Sequence, residues 1–155
     1  MVSTTTYISD TIKFIRNDLL NNITDPISTT RSTNSKFVMT SYPQRPAEYP
    51  LITVRHDGGA SIKRLGMRSE LIWMSIPVEV RVWARNEKEK DTLTQQVINR
   101  LRSNQFGGGA STSDDQELHD FDILSQTPIY EEGGEGEISI KSMVISIQYN
   151  FVLGS

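Results

Sequence analysis

The chain has 155 residues, with 16 Lys and Arg against 19 Asp and Glu, for a formal net charge of −3. That balance argues against a protein that lives mainly on phosphate contacts. There is no cysteine, so disulfide and thiolate chemistry are excluded.

The length suits a single domain, residues 1–155, able to bury a core without disulfides or metal. The start, Met-Val-Ser-Thr-Thr-Thr, lacks the basic-then-apolar layout of a secretory signal. No apolar run approaches the roughly 20 residues of a membrane span. The expectation is a soluble, intracellular protein, or one assembled inside a cell, with no membrane partner.

Residues 6–23 read as a helix, because Ile8, Ile12, Ile15, Leu19 and Ile23 recur at steps of three and four. Thr6 or Ser9 suits its cap, and Asp25-Pro26 stops it. Residues 24–36 are rich in Ser, Thr and Asn and read as a flexible loop. Phe37 to Thr40 is a short strand. Three prolines between Tyr42 and Pro50 make the next segment extended or turning. Leu51 to His56 is the second strand. Asp57-Gly58-Gly59 closes it with the signal of a hairpin turn. Residues 60–68 are basic, with Lys63, Arg64 and Arg68.

The stretch Leu71 to Arg85 organises the chain. Ile72, Met74, Ile76, Val78, Val80, Val82 and Ala84 fall on one face of a strand. Leu71, Trp73, Ser75, Pro77, Glu79, Arg81, Trp83 and Arg85 fall on the other. Alternation held this long is a strand signal, and a helix would scatter these apolar residues. At about 3.3 Å per residue the strand spans about 45 Å, so it bends or runs past the sheet as an arm. Pro77 has no N–H for a ladder and belongs at an edge, a bend or a bulge.

Asn86 to Ser103 is the second helix. Asn86 caps it, Glu89 stands at the capping-box position, and Leu93, Val97, Ile98 and Leu101 form a narrow apolar stripe. Gly107-Gly108-Gly109 ends it, and residues 105–117 read as a flexible loop. Leu118 to Tyr130 is a strand. An acidic turn follows from Glu131 to Gly136. Ile138 to Leu153 is the last strand, and its apolar parity changes from Ile138 and Ile140 to Met143, Ile145 and Ile147. A bulge near Ser142 would do this. The expected fold class is α+β: one mixed, mostly antiparallel sheet with a long central strand and two helices packed on it.

Chemistry is sparse. His56 and His119 have no metal or catalytic spacing around them. Asp114, Asp115, Glu117, Asp120 and Asp122 lack the fixed ligand pattern of a calcium loop. The triple glycine follows a helix rather than opening one, where the dipole repels phosphate. Arg55, Lys63, Arg64 and Arg68 read as a rim of surface charge. No enzyme, cofactor or metal site is expected.

The odd-numbered face of the long strand admits two readings. In one, Trp73 and Trp83 pack under a helix and the charges lie at the margin. In the other, Trp73, Glu79, Arg81, Trp83 and Arg85 are covered by a neighbouring subunit, since tryptophan and arginine are enriched in interface cores.

Several stretches carry a resemblance. Leu51-Ile52-Thr53-Val54 is followed by the run to Val78-Glu79-Val80-Arg81-Val82-Trp83. Asn86-Glu87-Lys88-Glu89-Lys90-Asp91 then opens a helix that reaches Leu101-Arg102. With the initial helix, this pattern resembles the tail terminator, or tail completion, proteins of tailed bacteriophages over most of the chain. It is a pattern of hydrophobicity and element order. Residues 103–117 carry nothing over.

The resemblance implies a structural role without catalysis. Such proteins form a six-fold ring, a homohexamer, that caps the finished tail tube, halts its polymerisation and joins the tail to the head's neck. The partners implied are the tail tube protein and a head-neck protein, with DNA only as passing cargo. The implied location is the head-proximal end of the virion tail, after assembly in the host cytoplasm. On this reading Asp114, Asp115, Glu117, Glu131, Glu132 and Glu135 are candidates for lumen or tube-facing loops, where mild negative charge avoids trapping DNA. The alternatives are another head–tail neck protein or the tail tube subunit, and, more remotely, a small-ligand-binding regulatory domain.

Overall fold

The computed structural model describes residues 7–41, 48–58, 61–64, 72–105, 120–130 and 141–153. The elements run α1 (Tyr7–Asn22), a 3-10 turn (Asn34–Lys36), β1 (Val38–Met39), β2 (Leu51–His56), β3 (Ser61–Arg64), β4 (Ile72–Ala84), α2 (Glu87–Gln105), β5 (Asp120–Tyr130) and β6 (Lys141–Leu153). The fold is α+β, with a six-stranded sheet ordered β1-β2-β4-β6-β5. Only the β1–β2 pairing is parallel among these ladders.

β4 is the axis of the sheet. All 13 of its residues pair with β6, from Ile72 opposite Leu153 to Ala84 opposite Lys141. The strand therefore lies within the sheet along its whole length rather than running past it as an arm. Its other side is shared by β2, opposite Val78 to Trp83, and β3, opposite Ile72 to Ser75.

The even-numbered face of β4 is the core face. Met74, Ile76, Val78, Val80 and Val82 are buried there with Ile52 and Val54 of β2 and Ile145 and Ile147 of β6. Helix α1 lies over β1 and β2, and α2 lies over β4 and β6. α1 buries Ile12, Ile15 and Leu19, with Ile23 just after its end; α2 buries Leu93, Val97, Ile98 and Leu101. Both stripes are the ones that the helical spacing predicts. Each large side chain buried this way contributes about 1.5–3 kcal/mol.

Arg100 joins the two helices. Its Nε stands 3.2 and 3.1 Å from the Asp18 carboxylate oxygens, and its Nη2 stands 2.5 Å from Oδ1. The start of α2 is closed by its own residues. Asn86 Oδ1 accepts from the Glu89 amide at 2.9 Å, and Glu89 Oε1 accepts from the Arg85 amide at 3.1 Å. Arg85 Nη2 also binds Glu89 Oε2 at 2.6 Å, and this guanidinium holds the Glu89 carboxyl below its ordinary pKa.

Three expectations are corrected. Asp57-Gly58-Gly59 does not turn a hairpin. β2 and β3 run in the same direction along β4, so the chain does not reverse between them. Gly58 has φ +89° there, a left-handed conformation that side chains disfavour. The basic stretch contains a further strand, β3, which short length and lysine–arginine content conceal. From Lys141 onward β6 carries no bulge against β4, and a register shift that was not expected lies in β5 between Ile123 and Ser125. β6 pairs with β4 without interruption, while Ile138 and Ile140, which suggested the parity change, lie outside the described residues.

The interruption between β2 and β3 along β4 explains Pro77. Its carbonyl accepts from the Asp57 amide at 3.0 Å. A strand residue's N–H and C=O point the same way, so the absent donor faces the gap between β2 and β3. A proline thus sits in a central strand without costing a ladder hydrogen bond.

Segment 24–36, expected as a flexible loop, contains a buried ion pair. Arg31 Nε meets Asp25 Oδ2 at 2.6 Å and Arg31 Nη2 meets Oδ1 at 3.0 Å. The same guanidinium donates to the Glu48 carbonyl at 2.6 Å and to the Pro50 carbonyl, and lies 5.2 Å from the Phe37 ring centroid. One side chain thus ties the loop to the strand that enters the sheet. Burial alone would raise the Asp25 pKa. The Arg31 hydrogen bonds and the Ile27 amide outweigh it and hold the carboxyl below its ordinary value.

Candidate functional site

The face of the sheet opposite the helices carries the sequence-predicted interface residues. Trp83 Nε1 donates to Thr53 Oγ1 at 3.0 Å across the β2–β4 ladder. The Arg81 guanidinium carbon lies 3.9 Å from the Trp83 ring centroid. Arg81 Nε and Nη2 donate to Ser142 Oγ at 3.2 and 2.9 Å, and that hydroxyl donates to the Ile129 carbonyl at 3.3 Å. Arg55 Nε stands 3.7 Å from Glu79 Oε1, and Gln148 donates to Ser75. A polar lattice therefore runs across β2, β4, β6 and β5 on this face.

Period two explains the placement. Residues 73, 75, 77, 79, 81 and 83 must share one face once 74 to 82 take the core face. What the alternation does not show is the burial. Trp83, Arg81 and Glu79 are only 7%, 8% and 8% exposed within the single chain. Among the described residues no helix packs over Trp83. Its ring is covered instead by Arg81 and flanked by Leu51, which is 1% exposed. Burying a guanidinium is tolerable because it is stacked and hydrogen-bonded. Trp73 is half-buried, and Arg85 is exposed and engaged by Glu89.

The other candidate residues are dispersed. Asp114, Asp115, Glu117, Glu131, Glu132 and Glu135 lie outside the described residues, as do His119 and Arg68. His56 ends β2, with its Nε2 buried and without a hydrogen bond. No cluster of three or more His, Asp or Glu able to hold a metal occurs among the described residues. No described helix is long and apolar enough to cross a membrane.

A shallow cavity of about 310 Å³ lies between the end of α1 and the start of α2. Thr24, Pro26, Asn86, Lys88, Thr92 and Gln96 line it with Leu93. Its one carboxylate, Glu89, is held by Arg85, so the walls present no free acid–base pair.

The sequence missed the Asp25–Arg31 pair and the sixth strand. The spacing of an acid and a base six apart in a loop has no local signature. Its signal is only the pairing with Glu48 and Pro50 in three dimensions. Comparison of the chain with protein-family models and with curated proteins finds no match.

Proposed function

We propose that the chain is a structural virion protein, a tail terminator that forms a six-fold ring on the head-proximal end of a phage tail tube. On this reading it stops tube polymerisation and joins the tail to the head's neck. It acts without catalysis or cofactor. It assembles in the host cytoplasm, and DNA passes through the ring as cargo.

The observation that carries this reading is the segregation of the sheet. Both helices lie on one face of a long-stranded sheet, and two strand edges are open to another chain among the described residues. Element order supports it as well: an initial helix, then a strand ending Val80-Arg81-Val82-Trp83, then a capped helix. This is the order of the resemblance described above. A structural subunit needs surfaces that repeat around an axis, and open sheet edges are such surfaces.

The test is an arrest assay. Purified protein is added to polymerising tail tube protein from the same phage, and tube lengths are measured by electron microscopy. Shorter tubes that carry an added ring at one end are expected. Unchanged lengths with no ring would reject the reading. Decoration along the tube would favour the tube subunit, and binding to tail-less heads a head-completion protein. The cavity beside α2 favours a second reading, a small-ligand-binding domain, because its volume is at the lower end of ligand sites, about 300–1,000 Å³. A metabolite that raises thermal stability in proportion to its concentration would support that alternative.

A further inference from the structure

The two edges of the sheet differ in kind. β5 forms one edge, and among the described residues it pairs only with β6. β3 forms part of the other, because β1 pairs with β2 at Ile52 and Thr53 and does not reach it. The exposed large hydrophobic residues of the described chain are Ile62, 62% exposed, and Leu124, 57% exposed. One is on β3 and the other is the bulged residue of β5.

Charge divides the same way. Lys63 is exposed on β3, and Arg64 follows it in sequence. Asp122 is exposed near the start of β5, in the sequence Asp120-Phe121-Asp122. Lys63 pairs with Trp73, and Asp122 pairs through Gln148 with Pro77. Both therefore stand on the odd-numbered face of β4, the face away from the helices. Neither has an ion-pair partner among the described residues. Two strands separate them within one chain, so they do not meet there.

Direction agrees too, with an offset of four residues between Lys63, level with Trp73, and Asp122, level with Pro77. Ser61, Ser75, Asn150 and Asp120 form one row across the sheet. β3 is antiparallel to β4, and β5 is parallel to β4, since each is antiparallel to β6 or its partner in turn. A second copy in the same orientation, offset by four residues along the strands, would present β3 antiparallel to β5 with Lys63 opposite Asp122.

We infer that β3 of one copy pairs with β5 of the next, head to tail, and continues the sheet around the ring. The inference rests on the ring reading above and names its interface. A head-to-tail contact closes into a ring when its rotation permits. Backbone edges supply the hydrogen bonds, and opposite charges set the partner. Pairing β5 with β5, or β3 with β3, would bring like charges to one edge, which is destabilising. The register shift at Leu124 interrupts β5, and the segment before it, around Asp122, is the part offered to the four residues of β3.

The chain has no cysteine, so engineered thiols are unique. Ser61→Cys and Ser125→Cys each place one thiol on an exposed serine, one per edge. The two single variants are mixed and treated with a flexible bismaleimide, while light scattering follows mass across a concentration series. The covalent mixed dimer is expected in at least tenfold excess over either homodimer. K63E or D122K alone should raise the concentration for half-assembly at least fivefold, and the K63E/D122K double variant should recover it. Dominant S125C homodimers would overturn the inference. So would assembled particles without the mixed product, and both results leave the ring reading standing. Absence of both assembly and product at every concentration overturns the inference as well. The ring reading is then decided by the arrest assay alone.

Discussion

The guanidinium of Arg81 lies over the indole of Trp83, two residues further along the same strand and on the same face. It also reaches Ser142 on β6, while Trp83 reaches Thr53 on β2. The stack thus spans three adjacent strands of the sheet.

Removing the stack should destabilise the chain in a graded way. R81M keeps the stem but loses the charge over the ring, worth about 0.5–2 kcal/mol, and the bonds to Ser142. W83A removes a buried aromatic and should cost about 3–5 kcal/mol. W83F should cost less, because it loses chiefly the Thr53 hydrogen bond. Urea unfolding gives all three values. A double-mutant cycle of R81M with S142A measures the coupling between those two side chains.

The Asp25–Arg31 pair should make stability pH-dependent. The ordinary Asp25 pKa is 3.8, and the folded carboxyl lies below it. The pair's contribution is therefore fully present above about pH 5 and is lost as pH falls through the folded value. D25N leaves the Arg31 charge buried without its partner, and should cost about 3–5 kcal/mol at neutral pH. Its stability curve should converge on the wild type below about pH 4. Parallel curves down to pH 2 would contradict the assignment.

Arg100 and Asp18 join α1 to α2 through a partly buried pair. R100A should cost about 1.5–3 kcal/mol, the range for hydrogen bonds to a charged group. D18N should cost a similar amount, and the double variant less than the sum. Hydrogen exchange should show the loss in both helices, because neither end of the pair is local to the other.

Gly58 offers a backbone test. A Cβ added there meets nothing within 4 Å, so G58A carries no clash, and only the φ of +89° opposes it. The expected cost is about 1–2 kcal/mol. P77V should be nearly neutral, since the donor it adds faces the gap between β2 and β3. Thermal melts of the two variants separate backbone strain from ladder loss.

The elements that repeat along the chain were legible in the sequence by itself. The 3.6-residue stripes of α1 and α2 and the two-residue alternation of β4 name their own buried residues, and Asn86 names its own cap. Each of these signals is local, so neighbouring residues suffice to show it. The α+β class follows from their order. Tertiary structure decided what depends on distant residues. β3 is a strand because β4 supplies its ladder, although its four residues include two basic ones. The register shift in β5 was not legible because register is a property of two strands and leaves no mark in one. Arg31 is buried because Asp25, Glu48 and Pro50 converge on it. Trp83 and Arg81 share a face by alternation alone, but their hydrogen bonds to Thr53 and Ser142, on strands far apart in sequence, exist only in the tertiary structure.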